Sequence, residues 1–95
     1  MFFTTQDHLQ IYYEFRGNEQ SEKKLLFLNG LTQSTIAWEF TLQPFLKDYH
    51  IILMDLVFQG KSPVTEKHRN FDQHAQDVFG LINTVIRKPV HLVGI

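Results

Sequence analysis

Leu25-Leu26-Phe27-Leu28, followed at once by Asn29-Gly30-Leu31, decides the fold of this chain. Four apolar residues stand in an unbroken run, and the run stops abruptly at a polar residue and a glycine. Strict alternation would mark a strand with one wet face, whereas a short unbroken run fits a strand covered on both faces, as in parallel sheets. The same device recurs twice. Ile51-Ile52-Leu53-Met54 stops at Asp55, and Val90-His91-Leu92-Val93 stops at Gly94. Three strands are therefore expected to deliver their loops to one rim of a common sheet.

Outward from these runs the pattern changes. Leu9, Ile11, Tyr13 and Phe15 alternate with Gln10, Tyr12, Glu14 and Arg16, the period-two signature of a strand with one buried face. Phe2 to Thr5 is expected to pair with it through a Gln6-Asp7-His8 turn. Arg16 to Lys24 is expected as a surface loop, with Lys23-Lys24 in a solvated turn. Between the apolar runs lie two helical patterns. In the first, Ser34 or Thr35 can cap a helix whose face carries Trp38, Leu42, Phe45 and Leu46, with Pro44 expected to kink or end it early. In the second, Phe71, Ala75, Val78, Ile82 and Val85 advance by four and three, and Asn70 with Gln73 makes a capping-box start. The order is a β-hairpin followed by β-α-β-α-β. This is an α/β class fold, a mostly parallel sheet with helices on its faces and right-handed crossovers.

Composition narrows the function. The 95 residues make a single domain at most, and 43% of them are hydrophobic, enough for a core. Nine basic residues against ten acidic ones give a formal charge of -1, which supplies no footprint for nucleic acid or an anionic membrane. No cysteine is present, so disulfides and thiolate chemistry are excluded, and the chain suits a reducing cytoplasm. The first residues lack the basic and apolar regions of a signal peptide, and no apolar run approaches the ~20 residues that span a bilayer. Internal repeats and low-complexity segments are absent from the sequence. The expectation is a cytoplasmic protein.

Ligands of open α/β sheets bind at the carboxyl ends of the strands. Those ends are Asn29-Gly30-Leu31, Asp55 to Ser62, and Gly94-Ile95. Here the sequence resembles the α/β-hydrolase family. LLFLNGLTQSTIAW (residues 25–38) looks like that family's third strand and oxyanion loop, usually His-Gly-x. IILMDLVFQGKS (residues 51–62) is similar to the fourth strand with its Asp-x-x-Gly-x-Gly-x-Ser loop. HLVGI (residues 91–95) resembles the fifth strand entering the Gly-x-Ser-x-Gly nucleophile elbow. The resemblance spans essentially the whole chain and implies that residues 1–95 are the N-terminal half of one hydrolase domain whose C-terminal half is absent. Gly94 and Ile95 would be the first two residues of the elbow, and the nucleophile is expected directly after Ile95. No catalytic triad member is then expected within the chain.

By the same resemblance, the first oxyanion donor is the backbone N–H of Leu31, following Asn29 and Gly30. Two departures stand out. Asn29 occupies the position of the family's common histidine, as it does in some enol-lactone hydrolases of the family. Phe58 and Gln59 occupy positions of a usual glycine and histidine, so Phe58 must either strain the loop or line the cleft. Asp55, Gly60 and Ser62 keep the pattern. Asp55 at a strand end can pass for a catalytic acid, but loop anchoring is the simpler reading, and Ser62 lacks an activating partner.

The histidines offer no metal spacing. His8 falls in a turn, His50 opens a strand and His68 lies in a loop. His74 is expected on or beside the polar face of the second helix, and His91 as a buried or half-buried strand residue. Trp38 is expected in the core. The resemblance implies a serine-type hydrolase acting by acyl transfer on a small carboxylic ester, thioester or lactone, with no cofactor and no metal, and with the complementary half of the domain as partner. An inactive truncated or cleaved fragment needing a second chain is the alternative. An aspartate-nucleophile relative (dehalogenase or epoxide hydrolase) is disfavoured, because Leu31-Thr32-Gln33 follows Gly30 where those relatives carry a proline. A nucleotide-binding module is disfavoured by the absence of a glycine-rich phosphate loop.

Overall fold

A computed structural model of the chain describes residues 1–30, 33–66 and 68–94. Five strands form one sheet: β1 (Phe2–Thr4), β2 (Gln10–Gly17), β3 (Lys24–Leu28), β4 (His50–Met54) and β5 (His91–Gly94). Their spatial order is β1-β2-β4-β3-β5. The hairpin β1-β2 is antiparallel and joins β4 antiparallel, whereas β3 pairs parallel with β4 on one side and β5 on the other. The three apolar runs therefore lie in one parallel array, with Leu28 opposite Met54 and Phe27 opposite Val93.

Strand β4 is central. Ile51, Ile52, Leu53 and Met54 are all 0% exposed, as a run without polar positions requires. Complete burial of each such side chain contributes about 1.5–3 kcal/mol. On one face Ile11, Tyr13, Leu26, Ile52 and Met54 pack with Leu81 and Ile86, and on the other Phe27, Ile51 and Leu53 pack with Trp38 and Leu42. Trp38 thus lies in the core, edge-on to Phe27 at 4.8 Å between ring centroids.

The first helical pattern does not become an α-helix. Two short 3-10 turns, Thr35–Trp38 and Gln43–Phe45, cover that face instead. Pro44 explains the break, since it has no N–H to donate and its ring would collide with the carbonyl of Phe40 in a continuous helix. Trp38 and Leu42 still reach the core, but Phe45 is left exposed, stacked edge-on against Tyr49.

The second pattern does form α1 (Phe71–Leu81), with the capping box in place: Asn70 Oδ1 accepts from Gln73 N–H at 2.9 Å and Gln73 Oε1 from Asn70 N–H at 2.8 Å. Val78, Ile82 and Val85 of the expected stripe pack against the core, joined there by Leu81 and Ile86. The helix widens into a π turn over Ile82–Ile86, with Arg87 N–H donating to Ile82 C=O and Arg87 left-handed at φ 59°. Five-residue spacing brings Leu81 and Ile86 onto the core together, while Phe71 is 87% exposed.

Three further expectations are corrected. Lys24 is not in a solvated turn: it opens β3, buried, and its Nζ lies 2.8 Å from His50 Nδ1. Burial pushes the His50 pKa below its ordinary value, and the Lys24 charge pushes it further the same way. His91 and Leu92 are exposed on β5, which is an edge strand paired with β3 among the described residues, while Val93 packs against the core. His74 faces the apolar side of α1, beside Ala75 and Val78, rather than its polar side.

The start of α1 is tied to the hairpin by Arg69, whose buried guanidinium bridges Asp7 and Asp77. Burial pushes the Asp77 carboxyl up, and Arg69 opposes that shift. No helix among the described residues is long and apolar enough to cross a membrane.

Candidate functional site

The register brings the carboxyl ends of β3, β4 and β5 to one rim. Leu28 stands opposite Met54 on one flank and Gly94 on the other, so the chain leaves the sheet at Asn29, Asp55 and the end of β5 within three adjacent strands. Parallel pairing is what collects these loops, since antiparallel strands would send alternate ends to opposite edges.

Asn29 is buried and works as a hub. Its Oδ1 accepts from Trp38 Nε1–H at 2.8 Å, while Nδ2 donates to Asp55 Oδ1 at 2.8 Å, with Met54 C=O at 3.1 Å and Gln59 Oε1 at 3.2 Å sharing the same group. An imidazole at this position could not donate to several acceptors and accept from an indole at once with one ring. The asparagine is therefore locked to Trp38, and the aromatic that anchors the covering segment also orients the loop after β3.

Asp55 has no solvent exposure. Its Oδ1 also accepts from Thr35 N–H at 2.9 Å, and Oδ2 accepts from Lys61 N–H at 3.0 Å. A carboxylate whose oxygens are committed to the amides of two loops is an anchor, which agrees with the simpler of the two readings made from sequence. Ser62 is likewise structural: its hydroxyl donates to Asp55 C=O and accepts from Tyr12 N–H at 2.8 Å. Gly60 fits because a Cβ there would overlap Asp55 Oδ2, and its φ is +42°.

Phe58 holds φ 76°, in the left-handed region that a glycine would occupy without penalty, so the strain expected of the loop is present, and the residue is 52% exposed. Neighbouring Gln59 is the residue that sequence reasoning undervalued. Buried at 8% exposure, it accepts from Leu56 N–H at 3.1 Å through Oε1 and donates through Nε2 to Gly30 C=O at 2.8 Å. A polar amide between Phe58 and Gly60, in a loop already missing its usual residues, was the available signal.

Of the residues singled out from sequence, Asn29 and Gly30 meet the Asp55–Ser62 loop, and Gly94 lies one strand away. Leu31 and Ile95 fall outside the described residues. Beside this rim, on the α1 face of the sheet, an open apolar groove of about 330 Å³ runs between the helix and the strands. Leu28, Leu56 and Leu92 contribute to one side and Phe71, Val78 and Phe79 to the other, with His74 among them. Among the described residues no group of three or more His, Asp or Glu could hold a metal ion.

No family model matches the sequence, and no curated protein sequence does. Solved structures do match. A hydrolase from Pseudomonas aeruginosa PA01 superposes with a TM-score of 0.92 over 100% of this chain and 36% of its own, at 19% identity. The enol-lactonase from Burkholderia xenovorans LB400 gives 0.90 over 100% and 36%, at 17% identity. An α/β hydrolase enzyme from a Medee basin deep-sea metagenome library gives 0.87 over 99% and 34%, at 26% identity. The chain spans about a third of the length of these proteins.

Proposed function

We propose that this chain, which has the fold of the N-terminal part of an α/β-hydrolase, supplies one half of the oxyanion hole to a serine-type hydrolase. In this reading the enzyme cleaves a small carboxylic ester, thioester or lactone by acyl transfer. The serine, its histidine base and the acid that orients it are provided beyond residue 95, and no cofactor is called for. Asn29 and Gly30 form the oxyanion loop, and Leu31, outside the described residues, is the donor. Gly94 and Ile95 lead into the nucleophile elbow. The cysteine-free composition suits a cytoplasmic location.

One observation carries the reading. Asn29-Gly30 is anchored by Asp55, Gln59 and Trp38 at the rim, on the strand beside the end of β5, where the register sets Leu28 opposite Gly94. A nucleophile attacking a carbonyl needs its N–H donors about 3 Å from the developing alkoxide, and losing one such donor raises the barrier by roughly 3 kcal/mol. Loops on neighbouring parallel strands are close enough to share one tetrahedral intermediate.

The partner in this proposal is a polypeptide carrying the complementary half of the domain. The outer edge of β5 and the apolar groove beside α1 are the surfaces it would cover, since exposed apolar strands and unpaired edges otherwise invite aggregation. The isolated 95-residue chain is expected to give no turnover of p-nitrophenyl acetate or butyrate above the buffer rate. Reproducible, saturable hydrolysis by the purified chain, abolished by heat denaturation, would overturn the proposal that its nucleophile lies elsewhere.

A further inference from the structure

An asparagine side chain is open to attack by the backbone nitrogen of the residue that follows it. That nitrogen bonds to Cγ as its own proton passes to a base, and ammonia departs with a proton from water, leaving a five-membered succinimide. Water then opens the ring at either carbonyl, giving aspartate or isoaspartate. A side chain on the following residue crowds the attack, and glycine has none. Asn18, Asn70 and Asn83 are exposed but precede Glu19, Phe71 and Thr84, whereas Asn29 precedes Gly30 and is buried.

The fold restrains both reacting groups. Gly30 N–H donates to Gln33 Oε1 at 2.8 Å, which holds the proton that attack must remove. Asn29 Oδ1 receives Trp38 Nε1–H, and Nδ2 is held among Met54 C=O, Asp55 Oδ1 and Gln59 Oε1. Turning Cγ onto the Gly30 nitrogen would break these bonds inside a buried site, where a group left without its partner is unfavourable. We infer that Asn29 is a deamidation site gated by folding: closed in the native chain, open in the unfolded one, and yielding a product that does not regain the native rim at neutral pH.

The product fails because an oxygen replaces Nδ2. In the native position that oxygen would face Asp55 Oδ1 at 2.8 Å, Met54 C=O at 3.1 Å and Gln59 Oε1 at 3.2 Å, three acceptors set against a fourth. Two buried carboxylates at that spacing cannot both stay ionised. Isoaspartate in addition lengthens the main chain by one carbon where it leaves β3. Ammonia lost while the chain is unfolded therefore turns a reversible excursion into permanent loss. None of these steps uses a substrate, so the inference stands apart from the hydrolase reading.

The test incubates the chain in mildly alkaline buffer across a guanidinium chloride series. Mass spectrometry then follows the tryptic peptide 25–47, in which Asn29 is the one asparagine. The rate of conversion is expected to track the unfolded fraction read by far-UV circular dichroism, and so to be roughly a thousandfold slower in buffer than in full denaturant. A rate in buffer within about tenfold of the denatured rate overturns the gating. In denaturant Asn29 is expected to react ahead of Asn18, Asn70 and Asn83, and the reverse order overturns its assignment as the site. After the denaturant is removed, the modified peptide is expected in the unfolded or aggregated fraction of a sizing column; an equal share in the native peak overturns the block to refolding. Asn29→Asp separates the added charge from the isomerised backbone. It is expected not to fold at neutral pH, and to regain its circular dichroism when Asp55→Asn is added, which leaves one carboxylate facing one amide. No recovery in the double variant overturns the facing carboxylates as the cause.

Discussion

Replacing Asp55 by alanine isolates the anchor on which both rim loops depend. The carboxylate is fully buried and receives Asn29 Nδ2, Thr35 N–H and Lys61 N–H. Asn29 keeps Met54 C=O and Gln59 Oε1 as acceptors, so its loss is small. Thr35 is itself buried, and its amide loses the acceptor that Asp55 provides, a penalty of about 1–3 kcal/mol for a buried donor. The partly exposed Lys61 amide can turn to water at about 1 kcal/mol. The vacated volume adds about 1 kcal/mol. The sum is roughly 3–5 kcal/mol, against a total of roughly 5–14 kcal/mol for a chain of this size. Urea unfolding followed by far-UV circular dichroism measures it, with Asp55→Asn as control. The asparagine retains one acceptor for Thr35 but sets an amide against Lys61 N–H, so it is expected to fall between the two, about 1–2 kcal/mol below the parent. If Asp55→Ala unfolds within about 1 kcal/mol of the parent at unchanged m-value, the carboxylate does not anchor the loops, and a role in catalysis would have to be reopened.

Two further outcomes follow from residues away from the rim or strained within it. His50 sits buried beside Lys24 with its pKa depressed below 6.5, the cause being burial first and the Lys24 charge second, weakly offset by Glu19. The unfolded chain therefore takes up the proton first, so stability is full above about pH 6.5 and is lost as pH falls toward the folded-state value. His50→Gln, which keeps an acceptor for Lys24, is expected to flatten this slope below about pH 6.5; identical slopes in the two proteins would refute it. Phe58 holds φ 76° with half its surface in water, so Phe58→Gly should leave the melting midpoint unchanged or raise stability by up to about 1 kcal/mol. A loss of more than about 1 kcal/mol on thermal unfolding would mean that packing, not strain, governs this position.

Much of the architecture was legible because it depends on local pattern. The alternation of Leu9 to Phe15 announced a strand with one buried face, and Ile11 and Tyr13 are indeed buried on it. The Asn70–Gln73 spacing announced a helix start that the capping box fulfils. Pro44 was a visible breaker, but sequence could not say that what remains would be two 3-10 turns, since that depends on how Trp38 and Leu42 meet Phe27 and Leu53. The stripe on α1 was read from periodicity, and Val78, Ile82 and Val85 do pack against the core, whereas Phe71 at its start stays exposed beside an open groove, because burial requires a partner that the periodicity of one helix does not supply. His91 and Leu92 belong to the same lesson: a run of apolar residues records what a strand is built to face, not what covers it in this chain.

At the rim the division is equally physical. The sequence by itself determined which residues end the three strands, and therefore that Asn29, Asp55 and Gly94 would come out at one edge, because parallel strands of similar length must deliver their ends together. Only the tertiary structure decided that Asp55 is committed to amides from two loops, that Asn29 is locked to Trp38, and that Gln59 spans the gap to Gly30. Those hydrogen bonds join residues from 6 to 29 positions apart. Their partners are set by where the sheet places each loop, and side-chain hydrogen bonds of that reach leave no periodic trace in a sequence.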